Sequence, residues 1–198
     1  MKKVTLEEVR ALALAAKSSL WEQANYYGRD VKLYLHWSAG HYGQFFSDYH
    51  INIDHDGSVY VSTEDFGDIK SHTYKRNSGA IGISLACCYQ ATTNNFGPEP
   101  PTQAQIEAIS QVVAVLCKTL DLTVDIYRVM THAEAADNLD GMNPGYEKNG
   151  YPDGKYGPAH SCERWDLWYF PGVLKGEGGS VIRSKATWYQ NQGDGVIG

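Results

Sequence analysis

Two imidazoles and a thiol form the set of side chains in this 198-residue chain best suited to carry chemistry: His36, His132 and Cys162. Histidine nitrogen and cysteine thiolate are good zinc donors. Three protein ligands with a fourth position left open for water make a catalytic rather than a structural zinc site. Spacing alone does not select this triple. The chain has seven histidines, and the three residues lie far apart, unlike a Cys-x-x-Cys pair.

The local pattern puts two of the three at the ends of elements and the third in a polar segment just past a long loop. In VKLYLHW (31–37), Val31, Leu33, Leu35 and Trp37 alternate with Lys32, Tyr34 and His36, which predicts a half-buried strand with His36 facing away from the aliphatic set near its C-terminal end. VDIYRVM predicts another strand running into a capping box at Thr131 and Glu134, so His132 falls at a strand-to-helix junction. Cys162 follows a Gly-, Pro-, Asn- and Tyr-rich stretch, 138–160, with no periodicity; a loop of that length in a compact domain usually serves function. The pattern between these points predicts a hairpin turning at Asp56-Gly57 and a buried central strand in AIGISLACC, with Cys87 and Cys88 on opposite faces. It also predicts a helix capped by Thr102 and Gln105 with a stripe of Ile106, Ile109, Val113, Leu116 and Leu120. At the N-terminus Thr5 and Glu8 cap a surface helix bearing Leu6, Val9, Ala13, Ala16 and Leu20 on one face. The expected fold is α/β: one domain over residues 1–198, a mixed central sheet flanked by helices, with a Gly-rich C-terminal extension carrying an apolar patch near Val181 and Trp188 packed on it.

Bulk properties narrow the function. With 42% hydrophobic residues the chain can bury a core. A net charge of -6 disfavours nucleic acid, whose phosphates call for a basic patch. No run approaches the ~20 apolar residues that span a bilayer. Glu7, Glu8 and Arg10 interrupt the place where a signal peptide would have its uncharged core, so a cytoplasmic location is expected. Cys87, Cys88 and Cys117 read as buried structural thiols rather than a disulfide framework.

The segments LYLHWSAG, DYHINIDHDGSVY, SHTYKRNSGAIGISL, THAE and SCERWDLW, in that order, resemble the type-2 N-acetylmuramoyl-L-alanine amidases, a family that includes phage lysozyme-type amidases and peptidoglycan recognition proteins. The resemblance covers roughly residues 30 to 170 as an ordered series of motifs. It implies one zinc per chain, held by His36, His132 and Cys162, which activates water for attack on the carbonyl joining muramic acid to L-alanine. It places Tyr49 beside the reacting groups. It gives the residue two before the third ligand, here His160 where phage relatives often have lysine, a part in holding the oxyanion or relaying a proton. It sets Trp37, His72 and Asn77 along the substrate groove. A glutamate that some members carry in the central strand is absent from GISLA. The implied partner is peptidoglycan, met by a monomer that remains cytoplasmic until released to the wall, as in a phage or prophage lytic enzyme or a bacterial cell-wall enzyme.

Blander roles stand beside these. Tyr49 and Trp37 could be packing residues, and His72 and Asn77 could stabilise a turn. His41, His50 and His55 read as surface or structural. Trp165, Asp166 and Trp168 read as anchors of the segment that carries Cys162, with a hydrogen bond from Asp166 to a ligand as the alternative. Two further functions remain open: a peptidoglycan-binding module that does not cut, and a zinc peptidase acting on the stem peptide.

Overall fold

The computed structural model describes residues 1–145 and 154–192. Its centre is a six-stranded mixed sheet built from β1 (Lys2–Val4), β2 (Lys32–Trp37), β3 (Ile51–Ile53), β4 (Val59–Val61), β5 (Ala80–Leu85) and β6 (Val129–Thr131), in the order β1-β4-β3-β5-β2-β6. Strand β2 lies between β5 and β6 and is parallel to both. The β3–β4 hairpin turns at Asp56-Gly57 as expected, and Gly57 adopts φ +86, the left-handed region that glycine enters without cost.

Helices α1 (Leu6–Tyr26) and α2 (Gln103–Leu120) begin at the two anticipated capping boxes, in which Thr5 and Thr102 accept from the third backbone N–H while Glu8 and Gln105 return the bond. Their stripes, Val9, Ala13, Ala16 and Leu20 on α1 and Ile106, Ile109, Val113, Leu116 and Leu120 on α2, are buried together with Leu33, Leu35, Ile81, Ile83 and Leu85 in one apolar cluster. Helix α2 packs against α1, α4 (Gly178–Asn191), β3 and β5. Among the described residues no helix is long and apolar enough to cross a membrane.

Four sequence expectations need correction. Strand β2 is buried on both faces, not one: Leu33, Leu35 and Trp37 join the main apolar cluster, while Tyr34 and His36 are covered by the 71–79 segment and by α3 (His132–Ala136). The first residues add an edge strand, β1, ahead of α1. Strand β5 stops at Leu85, and Cys88 turns to φ +70, so the Cys87 and Cys88 sulfurs lie 3.6 Å apart rather than on opposite faces. The Gly-rich C-terminal stretch contains helix α4, whose Ile182, Ala186 and Tyr189 are buried while Trp188 is exposed. Its start lacks a side-chain cap, the signal by which the other helices announce themselves. Residues 146–153 of the long loop lie outside the described residues.

The loop's first part is tied to the sheet by charge. Asp140 accepts from Arg76 at 2.7 Å and 3.0 Å and from Lys32 Nζ at 2.9 Å, with Arg76 fully buried and also 3.3 Å from the Tyr34 hydroxyl. Burial works against ionisation of Asp140, but Arg76 and Lys32 outweigh it and hold the carboxyl well below the usual carboxylate range. Asp140→Ala leaves a buried guanidinium without its counter-charge and should cost about 3–5 kcal/mol in urea denaturation at neutral pH. Because the folded-state pKa is depressed, this contribution is complete above the unfolded value of ~4 and is lost as pH falls below it. The difference between wild type and variant should therefore shrink on acidification below pH ~4.

Candidate active site

The C-terminal ends of the parallel strands carry the chemistry. His36 on β2 is level with Ser84 on β5, and Leu35 with Thr131 on β6, so His132, the next residue along, is delivered to the same edge. Thr131 caps α3, accepting from the Glu134 N–H while the Glu134 carboxylate accepts from the Thr131 N–H. The same carboxylate pairs with Arg183 of α4 at 2.9 Å through both oxygens. This fixes the junction from which His132 projects.

Opposite these two histidines stands Asp166. Its Oδ2 lies 3.0 Å from His36 Nδ1 and its Oδ1 3.3 Å from His132 Nδ1, and the two Nδ1 atoms are 3.1 Å apart. All three residues are buried, and among the described residues they form the one His/Cys/Asp/Glu group that could hold a metal ion. Burial pushes the His36 imidazole down to about 4, with Asp166 opposing and His132 adding to the fall, so the ring is neutral with a lone pair to offer. Asp166 is held as a carboxylate: burial alone would raise it, but the hydrogen bonds and charge of His132 and His36 win.

The structure brings Asp166, not the expected Cys162, beside the two histidines. Cys162 is not part of the cluster. It sits in a turn at φ +58 with its N–H on Gly157 O, and burial and the nearby Asp137 raise its thiol pKa. Asp166 is instead gripped from both sides: Trp165 packs edge-on to Trp37 at 5.2 Å and Leu167 is fully buried. The start of α4 closes over this segment. Gly176 and Gly178 donate to Trp168 O, and a Cβ at Gly178 would fall 2.0 Å from Leu167 O, so only glycine fits there.

The cavity beside the cluster, about 380 Å³, is lined by Trp37, Tyr49, His72, His132, Arg164 and Asp166, among others. Tyr49 has its ring 5.0 Å from His36. Its loop is pinned by Asn52, which exchanges two bonds with Phe46, and by the Ser62 hydroxyl on Tyr49 O. Burial, reinforced by Asp166, pushes the phenol well above its usual pKa, so it remains a proton-bearing donor.

His160 is exposed and outside this wall, near Asp137. The cation that faces the cavity is Arg164, two residues before Asp166. It escaped sequence reading because His160-x-Cys162 and Arg164-x-Asp166 offer the same spacing. The available signal was WDLW, an acid set between residues with reason to be buried.

Trp37 is largely buried against Trp165 and Phe96, with its remaining surface on the cavity. His72 packs directly on Gly82, where a Cβ would meet its ring at 2.6 Å. Its Nδ1 is 2.9 Å from Thr73 Oγ1, which is itself 3.3 Å from His36 Nε2, and its Nε2 is buried with no hydrogen-bond partner. Burial, with three neighbouring histidines adding, keeps it neutral. Asn77 spends its side-chain oxygen on the His72 and Thr73 N–H groups, so it serves the turn. His50 is structural, bonded to Asp68 O and Gly82 N, while His41 and His55 are exposed and paired with Glu99 and Asp54.

The donor set fits zinc. With metal–ligand distances of ~2.0–2.1 Å, the edges of a tetrahedron are about 3.3 Å, close to the three separations here, and two imidazoles with one carboxylate are donors zinc accepts.

Among solved structures, the endolysin N-acetylmuramoyl-L-alanine amidase LysCS from Clostridium intestinale URNW is similar, with 17% identity and a TM-score of 0.39 over 52% of this chain and 68% of that one. The peptidoglycan recognition protein PGRP-Hd from Alvinella pompejana is similar at 18% identity and a TM-score of 0.36, over 52% and 72%. No curated protein matches in sequence. Residues 11–145 match the family Amidase_2, N-acetylmuramoyl-L-alanine amidase, a span that holds His36, Tyr49 and His132 and ends before Arg164 and Asp166. The chain therefore belongs to the type-2 N-acetylmuramoyl-L-alanine amidase family.

Proposed function

We propose that the protein is a zinc-dependent amidase that hydrolyses the bond between the lactyl group of N-acetylmuramic acid and L-alanine in peptidoglycan, with one zinc held by His36, His132 and Asp166. The observation that carries this reading is the convergence of three buried donor atoms at 3.0–3.3 Å beside an open cavity. Zinc, when bound, supplies a Lewis acid that polarises the scissile carbonyl and lowers the pKa of water.

The chain's own residues do the rest. Arg164 brings a permanent cation to the cavity wall, where it offsets the negative charge that develops on the carbonyl oxygen. Tyr49 donates a phenolic hydrogen bond into the same space. Neither group releases its proton easily, so the proton required by the departing amine originates from the attacking water and travels through the solvent of the open cavity.

His72 receives its orientation through Thr73. Use of His36 Nδ1 as a ligand leaves its Nε2–H to donate to Thr73 Oγ1. The Thr73 hydroxyl then donates to His72 Nδ1, which fixes the His72 tautomer behind the cavity wall. Trp37 and Trp165 provide apolar wall for the sugar.

Mass spectrometry of digested peptidoglycan tests the reaction. New free L-alanine amines with intact glycan strands are expected. New reducing ends or cut stem peptides would replace the amidase with another hydrolase, and binding without any cleavage would leave a recognition module.

Metal analysis tests the ligands. Asp166→Ala should lose nearly all its zinc and its activity, whereas Cys162→Ala should keep both. The opposite pattern would return the thiol to the site.

The cation has its own signature. Arg164→Ala should lower kcat by about 10²–10³-fold, the scale for one oxyanion donor, with zinc content unchanged and much of the loss recovered in Arg164→Lys. His160→Ala should stay within about twofold of wild type. A large loss there, with Arg164→Ala active, would reverse the two roles.

A further inference from the structure

Position 88 is a costly place for a residue with a side chain. At φ +70 it lies in the left-handed region, where an L residue other than glycine loses about 1–2 kcal/mol. The result is a contact that a strand forbids. Successive side chains of a strand point to opposite faces, but the chain has left β5 at Leu85, and the turn at Cys88 brings its Sγ to 3.6 Å from that of Cys87. Both thiols are free and fully buried, and neither takes part in the proposed hydrolysis. A sulfur–sulfur bond is about 2.05 Å long, so the two atoms stand in contact, one short movement from a bond.

Cys88 is also a backbone junction. Its N–H donates to Glu99 O at 2.7 Å, its carbonyl accepts from the Ala91 N–H at 3.0 Å, and it pairs with Gly40 in an isolated parallel bridge. Glu99 carries the link onward: its carboxylate accepts from the Tyr42 N–H at 2.9 Å and lies 2.6 Å from His41 Nδ1. One residue thus ties the 38–42 loop, which follows β2, to the 89–99 loop. Ser38 and Ala39 line the catalytic cavity. Phe96 of the second loop packs edge-on against Trp37 at 6.0 Å, and Trp37 lines the same cavity. No residue from 89 to 99 is buried, which puts this loop among the parts of the fold that open most easily.

We propose that Cys87 and Cys88 are a reversible oxidation site, at which a peroxide joins the two sulfurs and the joined pair distorts the adjoining wall of the catalytic cavity. Peroxide converts one thiol to a sulfenic acid, and its O–O bond breaks with release of one water. The other thiol attacks that sulfur, the S–O bond breaks, and the second water leaves with the remaining thiol proton. One peroxide is reduced, and the two thiols together give up two electrons. A larger oxidant, such as a peptide disulfide, would first have to fit a bulky mixed disulfide into a packed interior. Burial, with Cys87 and the charge of Asp166 adding, raises the Cys88 thiol well above its usual range, so the closed protein reacts slowly and opening of the 89–99 loop admits the reagent. Neighbouring Cα atoms stand about 3.8 Å apart, short of the ~4.4–6.8 Å that a disulfide usually spans. The bond therefore closes only with a change of backbone at 87–88, and thiols reopen it readily. That change acts on the Gly40 and Glu99 contacts, and through them on Ser38 and Ala39. The oxidation is independent of the amidase reading; its effect on cleavage rests on it.

The test uses hydrogen peroxide on the zinc-loaded protein carrying Cys162→Ala, which removes the partly exposed thiol. After exposure the chain is unfolded, alkylated and digested, and the peptide that holds residues 87 and 88 is weighed. It should be about 2 Da lighter than the reduced peptide and carry no alkyl group, the loss of two hydrogens, while Cys117 is alkylated as before. Reduced glutathione should restore both thiols. Cleavage of peptidoglycan amides should fall by about 10–10²-fold on oxidation, the scale for a displaced cavity wall, and return on reduction. Cys87→Ala and Cys88→Gly should cleave like the parent and ignore peroxide; the second also relieves the left-handed backbone, so it should fold. Two alkylated thiols after exposure, stepwise oxidation to sulfinic acids, or a bond to Cys117 or to a second chain would overturn the site. A joined pair with unchanged cleavage would overturn its link to the cavity. A joined pair in a protein that cleaves no amide in either state would keep the oxidation site and discard the amidase reading, whereas efficient cleavage with both thiols left unjoined would do the reverse.

Discussion

A carboxylate buried between two buried imidazoles is the arrangement that the rest of this structure serves. Among the described residues no arginine or lysine is shown hydrogen-bonded to Asp166; its two oxygens face His36 and His132. Taking such an anion from water costs several kcal/mol unless positive charge meets it. A divalent cation would complete the balance, so the feature that strains the metal-free fold is the one that suits it to metal chemistry. Much of the rest of the structure keeps these three side chains in place against that penalty. Strand β2, held between β5 and β6, supplies His36. The capped β6–α3 junction supplies His132. Trp165, Leu167 and the first turn of α4 hold Asp166.

Seen this way, the C-terminal helix is part of the site's support. Arg183 reaches back to Glu134, the residue that closes the cap beneath His132, and Gly178 lies on the backbone of the residue after Asp166. One element thus braces two members of the cluster, His132 and Asp166, that come from distant parts of the chain. Such outer contacts fix ligand direction, and direction decides whether three donors can share one ion.

The legibility of the sequence follows the range of the physics involved. Capping boxes at Thr5, Thr102 and Thr131, the alternation through residues 31–37 and the Asp56-Gly57 turn are local signals, and the structure bears each of them out. His36 and His132 were legible because they stand at the ends of such elements. The second burial of β2 was not, since Lys32 and Tyr34 are covered by Arg76 and Asp140 from segments more than 40 residues away. Helix α4 lacked a cap and begins in glycine, so its only signal was the weak apolar pattern of Val181, Ile182, Ala186 and Tyr189.

The choice between Cys162 and Asp166 shows where a resemblance alone runs out. Within seven residues the chain offers two donors, each preceded two positions earlier by a basic residue, and the carboxylate, not the thiol, is the one that lies beside the two histidines. What separates them is anchoring. Ser161 and Glu163, which flank Cys162, are exposed, whereas Trp165 and Leu167 beside Asp166 are drawn into the interior. A side chain can serve as a rigid ligand only if its neighbours in the chain have somewhere apolar to go, and burial of those neighbours then carries the donor inward with them. The same shift of four residues replaces a titratable imidazole at position 160 by a permanently charged guanidinium at position 164, restoring the fixed cation that His160 lacked. The ligand and the cation thus move together, as they must if both are read from one anchored turn.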